Sequence, residues 1–188
     1  SDPTYILMLK GNADGMELAG RMGASQLRNL LYAYKERMDK NRFIQNLLLD
    51  NLLLVDIYNQ AKKMKIPAEI KRVVFVIEPK NEGDILVQET LKGLYATGTK
   101  DFVTAIDEKH IILVKSLQST DDYPQVEQIA KELVTTLNME AMVSVRAAYG
   151  TIVEELKDVS RSYKEADMAL EVGRVFYVEK KILARHSQ

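Results

Sequence analysis

Two short apolar runs, residues 102–106 and 111–114, bracket four polar residues, Asp107 to His110. Apolar runs of that length around a polar break predict a β-hairpin whose arms are at least half buried. Residues 73–77 are apolar at every position, as expected of a central strand covered on both faces. Between that run and the hairpin, Val87, Leu91 and Leu94 recur at helical spacing, with Asp84 placed to cap the helix. After the hairpin, Val126, Ile129, Ala130, Leu133, Val134 and Leu137 form the cleanest helical stripe in the chain. It is opened by Asp122-Tyr-Pro-Gln125, a capping-box pattern with proline in the first turn. Residues 142–148 alternate and predict a strand. Ser162-Tyr-Lys-Glu165 reads as a second capping box, opening a helix that carries Ala166, Ala169, Leu170 and Gly173. Residues 181–185 read as a short last strand. The order is strand, helix, hairpin, helix, strand, then helix and strand. That order predicts an α+β fold, a mostly antiparallel sheet with helices packed on it.

The first third of the chain has a different pattern. Residues 4–9 are apolar and read as a strand, the remnant of a domain upstream of this chain. Gly15, Gly20 and Gly23 follow, with Gly15 and Gly20 spaced as in a phosphate-cradling loop. Such a loop also needs Lys and Ser or Thr after the second glycine, to reach the phosphates and hold Mg²⁺. Arg21 and Met22 stand there, so the segment reads as a flexible connector. Residues 25–64 are helical in pattern, with Leu27, Leu30, Leu31, Tyr34 and Met38 on one stripe. Asp50 or Asn51 caps a second helix carrying Leu54, Ile57, Tyr58, Ala61 and Met64, and Ile66-Pro67 ends it. The stripe has two readings: packing against the domain that follows, or a helical seam that pairs with a second copy. The division predicted is a connector and dimerisation segment over residues 1–68 and a domain over residues 69–188.

Composition narrows the function. Lys plus Arg (26) nearly balances Asp plus Glu (27), which gives no electrostatic argument for direct binding to nucleic acid. There is no cysteine, which removes disulfides, thiol nucleophiles and Cys-ligated zinc and fits a reducing, cytoplasmic setting. The longest apolar stretch is interrupted by Asp50 and Asn51 and is too short to span a bilayer.

Toward the C-terminus, Val143-Ser-Val145, a spacer over residues 150–159, Ser162-Tyr163, Glu165-Ala166, Ala169-Leu170 and Gly173 resemble bacterial regulators of the CdaR/PucR type. Residues 43–61 are similar to the segment leading into the middle domain of those regulators. The resemblance covers residues 32–185. It implies a GGDEF-like, βαββαβ middle domain extended by a final helix and strand, lying between a sensor and a helix-turn-helix. DNA would then be bound by a further domain, and this segment would act as a homodimer through its N-terminal helices.

The same resemblance sets out what cyclase chemistry would require. A working cyclase relative needs a Gly-Gly turn at the hairpin, where only glycine lets backbone approach phosphates closely. It also needs acidic groups for metal and catalysis. Asp107-Glu108-Lys109-His110 contains no glycine, and Glu78 is followed by Pro79. Glu78, Asp107 and Glu108 are the residues that a nucleotide-processing alternative would use, gathered on Mg²⁺ through their oxygens. His110 and His186 are the only histidines, and His110 reads as an exposed turn residue without a nucleophile beside it. The expectation is a non-catalytic regulatory domain with no catalytic, cofactor or metal residues.

Overall fold

The computed structural model describes residues 6–11, 15–80, 85–96, 100–176 and 183–185. The chain divides into two compact units, Ser1–Lys40 and Asn41–Gln188.

In the first unit, residues 6–11 belong to neither helix nor strand, so the strand expected over residues 4–9 is not formed in its described part. Helix α1, Met16–Leu48, starts earlier than residue 25 and absorbs the glycines read as a connector. Gly15, at φ 93°, precedes it, and its carbonyl accepts the Ala19 N–H at 3.0 Å. Gly20 and Gly23 lie inside the helix, where Leu9 and Leu7 approach them. A Cβ on Gly20 would stand 2.9 Å from a Leu9 methyl, and one on Gly23 would stand 3.4 Å from Leu7. Gly20 therefore makes room for the Leu9 side chain, and because Gly20 and Gly23 are helical no phosphate loop is formed by them.

The second unit holds the C-terminal turns of α1, then α2 (Leu54–Lys63), β1 (Arg72–Pro79), α3 (Ile85–Tyr95), β2 (Phe102–Ala105) and β3 (Ile111–Ser116). It continues with α4 (Tyr123–Glu140), β4 (Val145–Tyr149), α5 (Val159–Phe176) and β5 (Leu183–Arg185). The sheet order is β2-β3-β1-β4-β5; the first four strands are antiparallel neighbours and β5 runs parallel to β4. The α+β architecture expected from the pattern is the one observed. The described part of the last strand, residues 183–185, is paired, whereas Asp84, Lys181 and His186 lie outside the described residues.

Alternation along β1 sorts its side chains onto two cores. Val74 and Val76, with Ile112 and Val114 of β3, face Phe43, Ile44, Leu47 and Leu48 of α1, Ile57 and Ala61 of α2, and Ala166, Ala169 and Leu170 of α5. Val73, Phe75 and Ile77, with Ile111 and Leu113, face Val87 and Leu91 of α3 and the Val126–Leu137 stripe of α4. The compact unit therefore begins well before the expected boundary at residue 68. Ile57 and Ala61 of α2 and the apolar positions at the end of α1 pack on the domain that follows them, whereas Leu54 and Val55 are exposed.

Asp122 forms the expected capping box with Gln125 at the start of α4. Asp50 does something different from the expected cap. It sits at φ 61°, its N–H reaches Leu47 O at 3.2 Å, and the Asn51 N–H reaches Asn46 O at 2.9 Å. That pair of bonds is a Schellman exit from α1. Helix α2 leaves the same way, with Lys65 at φ 57° and Ile66 N–H on Ala61 O at 2.9 Å. Lys65 is exposed and pays the left-handed penalty that glycine avoids. Lys65→Gly is expected to stabilise the fold by about 0.5–1 kcal/mol, after the entropy cost of glycine in the unfolded chain. A urea denaturation curve with unchanged slope and a higher midpoint is the expected reading.

Candidate functional site

The sheet brings the hairpin turn and the end of β1 to one place. Ile111 is opposite Ile77 of β1 on one side and Ala105 of β2 on the other. Glu78 and the turn residues Asp107 to His110 therefore lie at the same end of the sheet.

Asp107 closes the turn. Its Oδ1 accepts the backbone N–H of Lys109 at 2.8 Å and of His110 at 2.7 Å, and its Oδ2 lies 2.9 Å from His110 Nδ1. This is an Asx-type turn, in which a short acidic side chain substitutes for backbone geometry that glycine would otherwise supply. No residue from 107 to 110 has a positive φ; among the described residues positive φ occurs at Gly15, Asp50, Lys65 and Met142. Partial burial alone would raise the Asp107 pKa. The hydrogen bonds from the His110 ring and the two backbone N–H groups, with the His110 charge, outweigh it and hold the carboxyl below the usual range. A depressed folded-state pKa means stability that is complete above the unfolded-state value, about 4 for aspartate, and lost as pH falls through the lower folded-state value. Asp107→Asn is therefore expected to flatten the loss of stability below about pH 4, read as thermal melts across an acid series.

The three carboxylates named from the sequence are not brought together. Glu78 is mostly buried and is ion-paired with Arg146, its partner residue on β4. Asp107 is engaged within its own turn, and Glu108 is exposed. Among the described residues, no group of three or more His, Asp or Glu is arranged to hold a metal ion.

His110 corrects its expectation. Its side chain is only 16% exposed, and Nε2 is buried without a hydrogen-bond partner. It continues the alternation of Ile112 and Val114, so it belongs to the face that looks toward α5. Tyr163 of α5 packs on that same core. Burial, and then the charges of Asp167 and Asp107, push its phenol up to about 12. The phenol therefore keeps its proton at neutral pH.

At the β4 exit the structure reveals a junction that local reading missed. Gly150 donates its N–H to Val74 O at 3.0 Å, and a Cβ on it would stand 1.9 Å from the Ser162 backbone oxygen. Ser162 is fully buried, and its hydroxyl accepts the Val74 N–H at 3.1 Å, taking over from the strand ladder. Glu165 accepts the Thr151 N–H at 2.9 Å. Helix α5 begins at Val159 after a short 3₁₀ turn, so the Ser162-x-x-Glu165 pattern lies inside the helix. It fastens α5 to β1 and the β4 loop, where a capping box was expected.

The family model for the GGDEF-like domain matches residues 51–172. The chain belongs to the GGDEF-like domain family. The match runs from just before α2 through most of α5 and contains both the hairpin turn and the Gly150–Ser162 junction. No curated protein matches the chain. Among solved structures, it is similar to a microbial GGDEF domain that interacts with bis-(3′,5′)-cyclic di-GMP. That likeness has 15% identity and a TM-score of 0.49, over 78% of this chain and 92% of that one. It is also similar to the GGDEF domain of DgcB from Caulobacter crescentus, in complex with c-di-GMP. Here identity is 10% and the TM-score 0.44, over 68% of this chain and 80% of the other. Among the described residues of this GGDEF-like domain, no helix is long and apolar enough to cross a membrane.

Proposed function

We propose that this GGDEF-like domain is non-catalytic and regulatory, the middle module of a cytoplasmic CdaR/PucR-type transcriptional regulator. In that role it couples an effector-sensing domain to a helix-turn-helix, and DNA is contacted by the latter. The observation that carries the non-catalytic reading is the turn itself. Asp107 is committed to closing it, where a working relative would place backbone against phosphate. Glu78 is answered by Arg146. The regulatory reading is supported by the resemblance in residues 143–173 and by the firm seating of the end of α1 in the domain core. A shift applied along α1 reaches the sheet through Phe43, Ile44, Leu47 and Leu48. Allosteric transmission requires an element of this kind, with two packings to choose between.

The test uses the full-length regulator and a reporter gene. The isosteric changes Glu78→Gln, Asp107→Asn and Glu108→Gln, made together to remove the carboxylates and keep their shapes, are expected to leave effector-dependent output intact, and Leu31→Pro in α1 is expected to uncouple it. Loss of output on removing the carboxylates, with α1 tolerant of proline, would favour the nucleotide-processing alternative that uses those three residues.

A further inference from the structure

Between Ala24 and Met38 the apolar stripe of α1 follows a 3-4 spacing: Ala24, Leu27, Leu31, Tyr34, Met38. In heptad terms these are successive a and d positions, the seam of a helix that pairs with another helix. The seam is open. Leu27 is 47% exposed, Leu31 40%, Tyr34 63% and Met38 44%, with Leu30 beside them at 69%. Further toward the N-terminus the same side of the helix is already covered, by Leu9 and Leu7 over Gly20 and Gly23.

The residues flanking the seam decide what covers it. The e positions are Arg28 and Lys35, and the g positions are Leu30 and Arg37. Every charged flanking residue in this stretch is basic. The nearby acidic residues, Glu36 and Asp39, fall at f and b, away from the seam, and Glu36 pairs with Lys40 at 2.8 Å. Charges at e and g select the partner of a helical seam. A second copy gains no attractive pair from them in a parallel alignment, and an antiparallel alignment sets basic against basic. An anionic lipid surface is disfavoured by Glu36 and Asp39 on the outer side of the helix, where such a surface needs Lys and Arg.

We infer that the open stripe of α1 docks an amphipathic helix of a partner protein whose flanking positions are acidic, in preference to a second copy of this chain. Arg28, Lys35 and Arg37 then meet Glu or Asp across the seam, while Leu27, Leu31, Tyr34 and Met38 are buried. The inference concerns the partner and holds whether or not the domain lacks catalysis.

The test uses the full chain and a three-heptad probe peptide with Leu at a and d and Glu at e and g, beside the same peptide with Lys for Glu. The Glu peptide is expected to bind about tenfold or more tightly than the Lys peptide at low salt. That advantage should shrink at about 0.5 M salt. Leu31→Asp should abolish binding without moving the thermal melt, because Leu31 lies on an exposed face. The combined change Arg28→Glu, Lys35→Glu, Arg37→Glu should reverse the preference. Sedimentation of the chain alone should show a monomer. A dimer broken by Leu31→Asp, equal binding of the two peptides, or binding of neither would overturn the inference. So would capture of the chain by phosphatidylserine vesicles in place of the Glu peptide.

Discussion

Gly150→Ala is expected to cost roughly 3 kcal/mol or more. The new carbon would stand 1.9 Å from the Ser162 oxygen, 2.7 Å from its carbonyl carbon and 2.9 Å from its Cα. These are backbone atoms of α5, so no side-chain rotation relieves the contact and the helix must move. Moving it also stretches the bond from the Val74 N–H to the Ser162 hydroxyl, in a place with no water to replace it. A loss of that size corresponds to a melting temperature lower by roughly 6–12 °C in a chain of this length. Ser162→Ala isolates the hydrogen bond and should cost less, about 1–3 kcal/mol, because it strands one buried N–H without a steric clash. A Gly150→Ala chain within 0.5 kcal/mol of the parent would contradict the close approach of α5 to β4.

Phe43→Ala is expected to lose about 3–5 kcal/mol, as truncation of a buried aromatic residue does. Phe43 is 2% exposed and packs with Ile44, Leu47 and Leu48 in the core shared with α2, α5 and one face of the sheet. Tyr34, on the same helix and 63% exposed, is the control: Tyr34→Ala should change stability by no more than about 0.5 kcal/mol. Comparable small losses at both positions, measured by urea denaturation, would mean that the end of α1 is an appendage to the fold.

The elements legible in the sequence were those whose signals are local. The all-apolar run of β1, the two arms around Asp107–His110, and the Asp122-to-Gln125 box each specify their structure within a few residues. The misread elements are those in which a distant partner decides. Ser162 and Glu165 have capping-box spacing, but their acceptors are used by Val74 and Thr151, which approach only after the sheet has formed. Gly20 and Gly23 read as part of a flexible connector, whereas both lie within α1 and Leu9 packs close against Gly20. Asp50 marks a break between helices in the sequence, but it ends α1 and does not cap α2, and the two roles look alike because a left-handed exit and a helix cap both favour short polar residues. His110 read as exposed because its burial comes from the sheet face it shares with Ile112 and Val114. At the candidate site, the absence of glycine from the turn was visible in the sequence. The bonds that occupy Asp107, and the pairing of Glu78 with Arg146, required the register between β1, β3 and β4.

The central claim is that the turn at Asp107–His110 supports the fold and no longer performs nucleotide chemistry. Calorimetric titration of GTP with Mg²⁺ into the chain, with the same samples assayed for cyclic dinucleotide, tests it most directly. The account predicts no product, whether or not heat is released, because neither Glu78 nor Asp107 is free to serve a metal-bound phosphate. Product formed by the parent chain and lost in Asp107→Asn would contradict it and make the turn an active site.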